Sequence, residues 1–246
     1  MFYILICIGS EKMKICIDAG HYGKYNQSPT NKEYYESEVM LKLTKYQKEY
    51  LEEYENVSVV LTRKDEKDIE VFKRGTMAKG CDLFISNHSN ACDSGSIDYP
   101  IVFYNYDNYK NSNVLAQKLS ETIQKLMKTT QKGKISIKKN KSNNDEYYGV
   151  LRGARSVGVK YYFLLEHSFH TNKKATLWLL DDKNLREMAK AEVEEIAKFF
   201  NLKKKTTDEV FYRVIVGSYK DKENALKQQE TLKKYNISSF LECYRQ

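Results

Sequence analysis

The sequence predicts an α/β fold: a mostly parallel, twisted sheet flanked by helices, plus a small C-terminal βαβ-sized unit. Three observations carry this. Short apolar runs alternate with amphipathic stretches over most of the 246 residues. Three of those runs, at 14–17, 82–85 and 161–165, lead into polar segments that carry His, Asp, Asn or Glu. Composition then shifts at Asn201 into a charged stretch with a separate strand–helix–strand pattern behind it.

The elements follow in order. Lys14 to Ile17 reads as a buried strand. Residues 36–54 read as a helix, because Val39, Leu43, Tyr46 and Tyr50 recur at three- and four-residue steps. Val57 to Leu61 is a strand, 69–79 a short helix, Asp82 to Ser86 a buried strand, and 101–106 another strand. Residues 111–128 are helical, with Val114, Leu115, Leu119, Ile123 and Leu126 on one side. The polar stretch 129–148 reads as a long loop beside the functional site. A strand spans 161–166, and a helix spans 184–200 with Leu185, Met188, Ala189, Val193, Ile196 and Phe200 facing inward. Residues 201–209 form a charged linker. Behind it come a strand (210–216), a helix (222–235) and a strand (239–244), near the lower size limit for independent folding. Such a unit should pair with a second copy, dock on the main domain or be marginally stable; with no second copy in the chain, a homodimer through 210–246 is the natural expectation.

Composition narrows the function classes. The net charge of +8 favours anionic partners, but the basic residues form no single stripe, and Lys138-Lys139 and Lys203-Lys204-Lys205 read as solvated loops. No recognition-helix pattern or aromatic–basic motif supports nucleic-acid binding. The five cysteines contain no Cys-x-x-Cys pair, which argues against a disulfide framework or a thiolate metal site. The apolar start, Met1 to Ile8, is too short to span a bilayer and lacks the marks of a secretion signal. Met13 reads as the natural start, with residues 1–12 as an extension.

The chemistry sits in three segments: Asp18-Ala19-Gly20-His21, Ser86-Asn87-His88-Ser89-Asn90-Ala91 and Glu166-His167-Ser168-Phe169-His170-Thr171-Asn172. Polar residues just past strand ends are where α/β enzymes place their chemistry. His21 and His88 supply two ligands of a catalytic zinc, which ordinarily takes three. Glu33, Glu36 and Glu38 are candidates for the third. Glu36 and Glu38 point about 200° apart on a helix, so only one faces the metal. His167 and His170 are rivals, and His170 could be a ligand in place of Glu36. Glu166 has the chemistry of a proton shuttle.

At these residues the chain resembles the zinc-dependent N-acetylmuramoyl-L-alanine amidases. The segment Tyr34-Tyr35-Glu36-Ser37-Glu38-Val39 aligns best with Glu36 as the ligand, and the likeness runs from about Met13 to Phe200. The resemblance implies one zinc ion held by His21, Glu36 and His88, with Glu166 as catalytic acid/base. It implies hydrolysis of the amide between the lactyl group of N-acetylmuramic acid and L-alanine in bacterial peptidoglycan. The expected setting is an endolysin or a sporulation or autolytic enzyme, made in the cytoplasm and acting after holin-type release or mother-cell lysis. A wall-binding protein with a decayed catalytic domain is the alternative. The chain departs from the family at Tyr22 and Met40, and at His167-Ser168, which replace a small residue and glycine. The tail resembles half of a SPOR-type peptidoglycan-binding domain, carried by Phe211 to Tyr219 and Glu223-Asn224-Ala225.

Overall fold

A computed structural model describes residues 12–141, 145–206 and 215–243. The chain divides into two compact units, Met1–Lys205 and Thr206–Gln246.

The first unit is built on six strands: β1 (Met13–Ala19), β2 (Val57–Leu61), β3 (Leu83–Asn90), β4 (Ile101–Tyr104), β5 (Lys134–Ser136) and β6 (Tyr161–Phe169). Their order in the sheet is β2-β1-β3-β6-β4-β5. β2, β1, β3 and β6 run parallel, β4 is antiparallel to β6, and β5 is parallel to β4. The helices are α1 (Glu36–Leu51), α2 (Val71–Thr76), α3 (Ser112–Met127), α4 (Gly149–Ser156), α5 (Lys173–Leu180) and α6 (Asp182–Phe199).

Both sheet faces are covered, as parallel strands require. Ile15, Ile17, Leu83, Ile85, Val102, Phe163 and Leu165 point to the face covered by α1, α3 and α6. Cys16, Phe84, Phe103, Tyr162 and Leu164 point to the other face, against Val150, Leu151 and Ala154 of α4. Each fully buried Leu, Ile or Phe contributes about 1.5–3 kcal/mol. On that second face α2 and α4 approach closely. A Cβ at Gly75 would lie 2.6 Å from the Ala154 nitrogen, so no larger residue fits without moving a helix.

Several expectations need correction. The stretch 129–148 is not all loop, because β5 adds an edge strand there. Helices α4 and α5 had no counterpart in the sequence pattern. α4 holds two glycines in eight residues and α5 is only eight residues long, so neither displays a clear apolar period. Val114 is exposed rather than inward-facing. Strands β3 and β6 are also longer than expected. Asn87–Asn90 and His167–Phe169 therefore lie within strands rather than in loops beyond them, with a register shift between His88 and Asn90. Alternation along the strands then decides which side chains meet.

In the second unit, α7 (Lys222–Lys234) confirms the expected helix, and the Asp221 side chain accepts from the Glu223 backbone N–H at 2.7 Å. The expected strands at 210–216 and 239–244 fall partly outside the described residues. Residues 215–219 and 239–243 are described, and they form no strand. No neighbouring ladder is present among the described residues to satisfy their backbone groups. Of residues 1–12, read as an extension, 1–11 lie outside the described residues.

Candidate active site

Three backbone carbonyls fix the first histidine. Nε of Arg63 donates to the Ala19 carbonyl at 3.0 Å and its Nη2 to the Gly20 carbonyl at 2.8 Å. Nη1 of Arg74 donates to the His21 carbonyl at 3.2 Å. Buried Asp18 balances these guanidinium groups: it accepts from Thr62 and Ser86 and pairs with Nε of Arg74 at 3.4 Å. This cage holds His21 at φ 58°, a left-handed conformation that a non-glycine residue adopts only at a cost. The preceding glycine has a steric reason. A Cβ at Gly20 would lie 2.6 Å from Nδ1 of His88 and 2.8 Å from the Asn87 carbonyl oxygen.

Glu36 opens α1, where the positive helix end favours a carboxylate. Its Oε1 lies 3.2 Å from Nε2 of His21 and 2.9 Å from Nδ1 of His88, and accepts from the Ser89 backbone N–H at 3.0 Å. The Nδ2 amide of Asn26 donates to Oε2 at 2.7 Å and lies 3.0 Å from Nε2 of His21. Burial opposes ionisation of Glu36, but hydrogen bonds from His21 and His88 outweigh it and hold the carboxyl below its usual range.

The potential ligand atoms of His21, Glu36 and His88 all lie within 4.8 Å of one another, and they form the metal-competent group among the described residues. Two imidazoles and a carboxylate match the donor set of a catalytic zinc, which leaves a coordination position open. Both imidazole nitrogens converge on the same carboxylate oxygen, as ligands around one cation would. His170 is drawn elsewhere: its Nδ1 donates to the Ser89 carbonyl at 2.9 Å and stays 3.7 Å from Glu36. Glu33 is exposed, and Glu38 faces a surface hollow with Leu41, Lys42 and Arg63.

Glu166 is the register partner of His88 across β3 and β6, so the two side chains share a sheet face. Its Oε2 is buried with no hydrogen-bond partner among the described residues. Burial, reinforced by the Glu36 charge, raises the carboxyl well above its usual pKa, and Lys138 works against the shift.

His167, one residue on, points to the opposite face. Its Nε2 bonds Glu192 at 2.7 Å, and Glu192 accepts from Gln47 at 2.7 Å. Gln47 accepts from Asn87 at 2.7 Å, and Nδ1 of His167 donates to the His88 carbonyl at 3.0 Å. A closed polar network thus sits behind the sheet position that presents His88. Sequence reasoning missed Asn26, Gln47 and Glu192. They carry no motif, and their partners are distant in the chain.

A family model described as "N-acetylmuramoyl-L-alanine amidase" matches residues 15–198. The chain belongs to this family. This amidase hydrolyses the amide joining N-acetylmuramic acid to L-alanine in peptidoglycan. A SPOR domain model matches residues 184–241. Its first part lies in α6, whose Leu185, Met188, Val193 and Ile196 are buried in the amidase core, and the rest runs into the tail.

Among similar proteins, the endolysin of Bacillus phage SPP1 is 28% identical over 232 residues, covering 94% of this chain and 79% of the phage protein. The N-acetylmuramoyl-L-alanine amidase CwlM of Bacillus licheniformis is 26% identical over 218 residues, covering 87% of this chain and 78% of its own length. The crystal structure of an N-acetylmuramoyl-L-alanine amidase from Clostridium difficile 630 shares the fold, with a TM-score of 0.67 and 23% identity. The match covers 78% of this chain and 98% of that one.

Proposed function

We propose that the amidase holds one zinc ion with His21, Glu36 and His88, and that Glu166 moves the proton of the reaction. The convergence of Nε2 of His21 and Nδ1 of His88 on one Glu36 oxygen carries the reading. A zinc ion bound there supplies a Lewis acid that polarises the scissile carbonyl and lowers the pKa of a water. Glu166, on the same sheet face as His88, takes a proton from the attacking water and delivers it to the departing L-alanine nitrogen. Arg63, Arg74 and Asp18 hold the His21 backbone, and Asn26 fixes the Glu36 carboxylate. Burial around Glu166 limits competing water.

Release of L-alanine amino groups from isolated peptidoglycan tests this. Release is expected to vanish with a zinc chelator and return on adding zinc. Undiminished release in the chelator would overturn the metal assignment.

The tail supports wall attachment through a module shared between two chains. Ile215, Tyr235 and Phe240 are 76%, 74% and 76% exposed, and α7 has no buried residue. Apolar surface of that kind favours a partner. A homodimer through 210–246 would bury it against a second copy. Sedimentation of the full chain is expected to show a concentration-dependent dimer, and a monomer at every concentration would refute it. The likeness to a phage endolysin supports lysis exercised after the cytoplasmic membrane has failed. No described helix is long and apolar enough to cross a membrane.

A further inference from the structure

On the sheet face that carries Glu166 stands a cation to which the reaction assigns no step. Nζ of Lys138 lies 3.8 Å above the Tyr147 ring centroid and 5.4 Å from that of Tyr148. The backbone ties the same pieces together, because the Tyr147 N–H donates to the Lys138 carbonyl at 2.9 Å. Tyr148 precedes α4 and packs on Phe103 at 4.8 Å, and Phe103 pairs with Leu164, two residues before Glu166. Lys138 is exposed, and no described carboxylate lies within ion-pair distance of its Nζ. Tyr148, Phe103 and Leu164 pack on one sheet face, and Glu166, two residues beyond Leu164, presents its side chain to that same face. The result is an unpaired ammonium, steadied on two aromatic faces, on the side of the sheet that carries the catalytic carboxyl.

Which part of the substrate meets it follows from the role of Glu166, so the inference rests on the function proposed above. Glu166 delivers a proton to the departing nitrogen, and that nitrogen belongs to the stem peptide. The peptide therefore leaves past Glu166, while the sugar lies across the scissile bond from it. The peptide is the part of the substrate that carries carboxylates. The geometry points to Lys138 as the anchor for a stem-peptide carboxylate next to the scissile L-alanine amide. Lys138 touches substrate and not the reacting atoms, so its contribution falls on binding and on the choice between acidic and amidated peptides.

The test uses the zinc-loaded full chain and two synthetic muramyl tripeptides. They differ only in whether the residue after L-alanine bears a free α-carboxylate or its amide. Lys138→Met is expected to raise KM about five-fold on the acidic substrate, the upper range for an exposed ion pair. Any change in kcat should be the same on both substrates, the KM for the amidated substrate should be unaffected, and Lys138→Arg should restore the wild-type KM. The discrimination should shrink as salt is raised. Equal loss on both substrates, or no loss on either, would overturn the assignment. Calorimetric binding of the same two tripeptides to Glu166→Gln, with and without Lys138→Met, reads the anchor without turnover. Failure of the proposed catalytic role is thereby told apart from failure of the anchor.

Discussion

Glu166→Gln is expected to lower amidase turnover by about 10²–10⁴-fold, the range for loss of a positioned general acid–base group. Glutamine keeps the shape and the buried setting but neither accepts nor releases the proton. Zinc content should stay at wild-type level, because Glu166 is not among the converging ligand atoms. A stability signature should accompany the loss. The folded protein raises the Glu166 pKa, through burial first and the Glu36 charge second. Between the unfolded and folded pKa values the native state holds a proton that the unfolded chain releases, so this carboxyl erodes stability as pH rises through that window. Glutamine cannot ionise. The metal-free variant should therefore melt at a higher temperature than the metal-free wild type at neutral pH. Full turnover in Glu166→Gln would end the proton-transfer assignment. A lower melting temperature would show that the orphaned carboxyl oxygen is solvated or paired.

The difference between what the sequence revealed and what it concealed is physical. His21, Glu36, His88 and Glu166 were legible because each belongs to a short segment whose residue types make sense only together. The sheet was legible where strands carry continuous apolar runs, as at Ile15-Cys16-Ile17 and Leu83-Phe84-Ile85. Asn26 was not, because loops have no period and its importance lies in reaching Glu36 from ten residues away. The three-residue edge strand β5 is set by pairing with β4 and not by its own composition. α4 was obscured by the glycines that let it approach α2. The same reasoning explains why His170 remained a rival ligand. Only the folded chain shows its Nδ1 spent on the Ser89 carbonyl.

The buried network around His167 was the least legible feature, since its partners lie on α1, β3 and α6. It should also be the most costly to break. His167 and Glu192 are both fully buried, and their bond is 2.7 Å long. Removing one partner strands the other without water, at about 3–5 kcal/mol, whereas replacing both removes that penalty. His167→Leu and Glu192→Leu should thus each destabilise strongly in urea unfolding, with the double variant losing less than the sum of the two. Burial alone would lower the His167 pKa, but the Glu192 charge and hydrogen bonds overcome it and leave the pKa raised. The pair's contribution is then complete below the ordinary histidine pKa and declines as pH rises through the folded value. The stability gap between wild type and His167→Leu should accordingly narrow at alkaline pH. Additive losses that do not change with pH would refute a charged pair. Because Nδ1 of His167 also donates to the His88 carbonyl, weaker zinc retention in His167→Leu would show that this network holds the ligand in place.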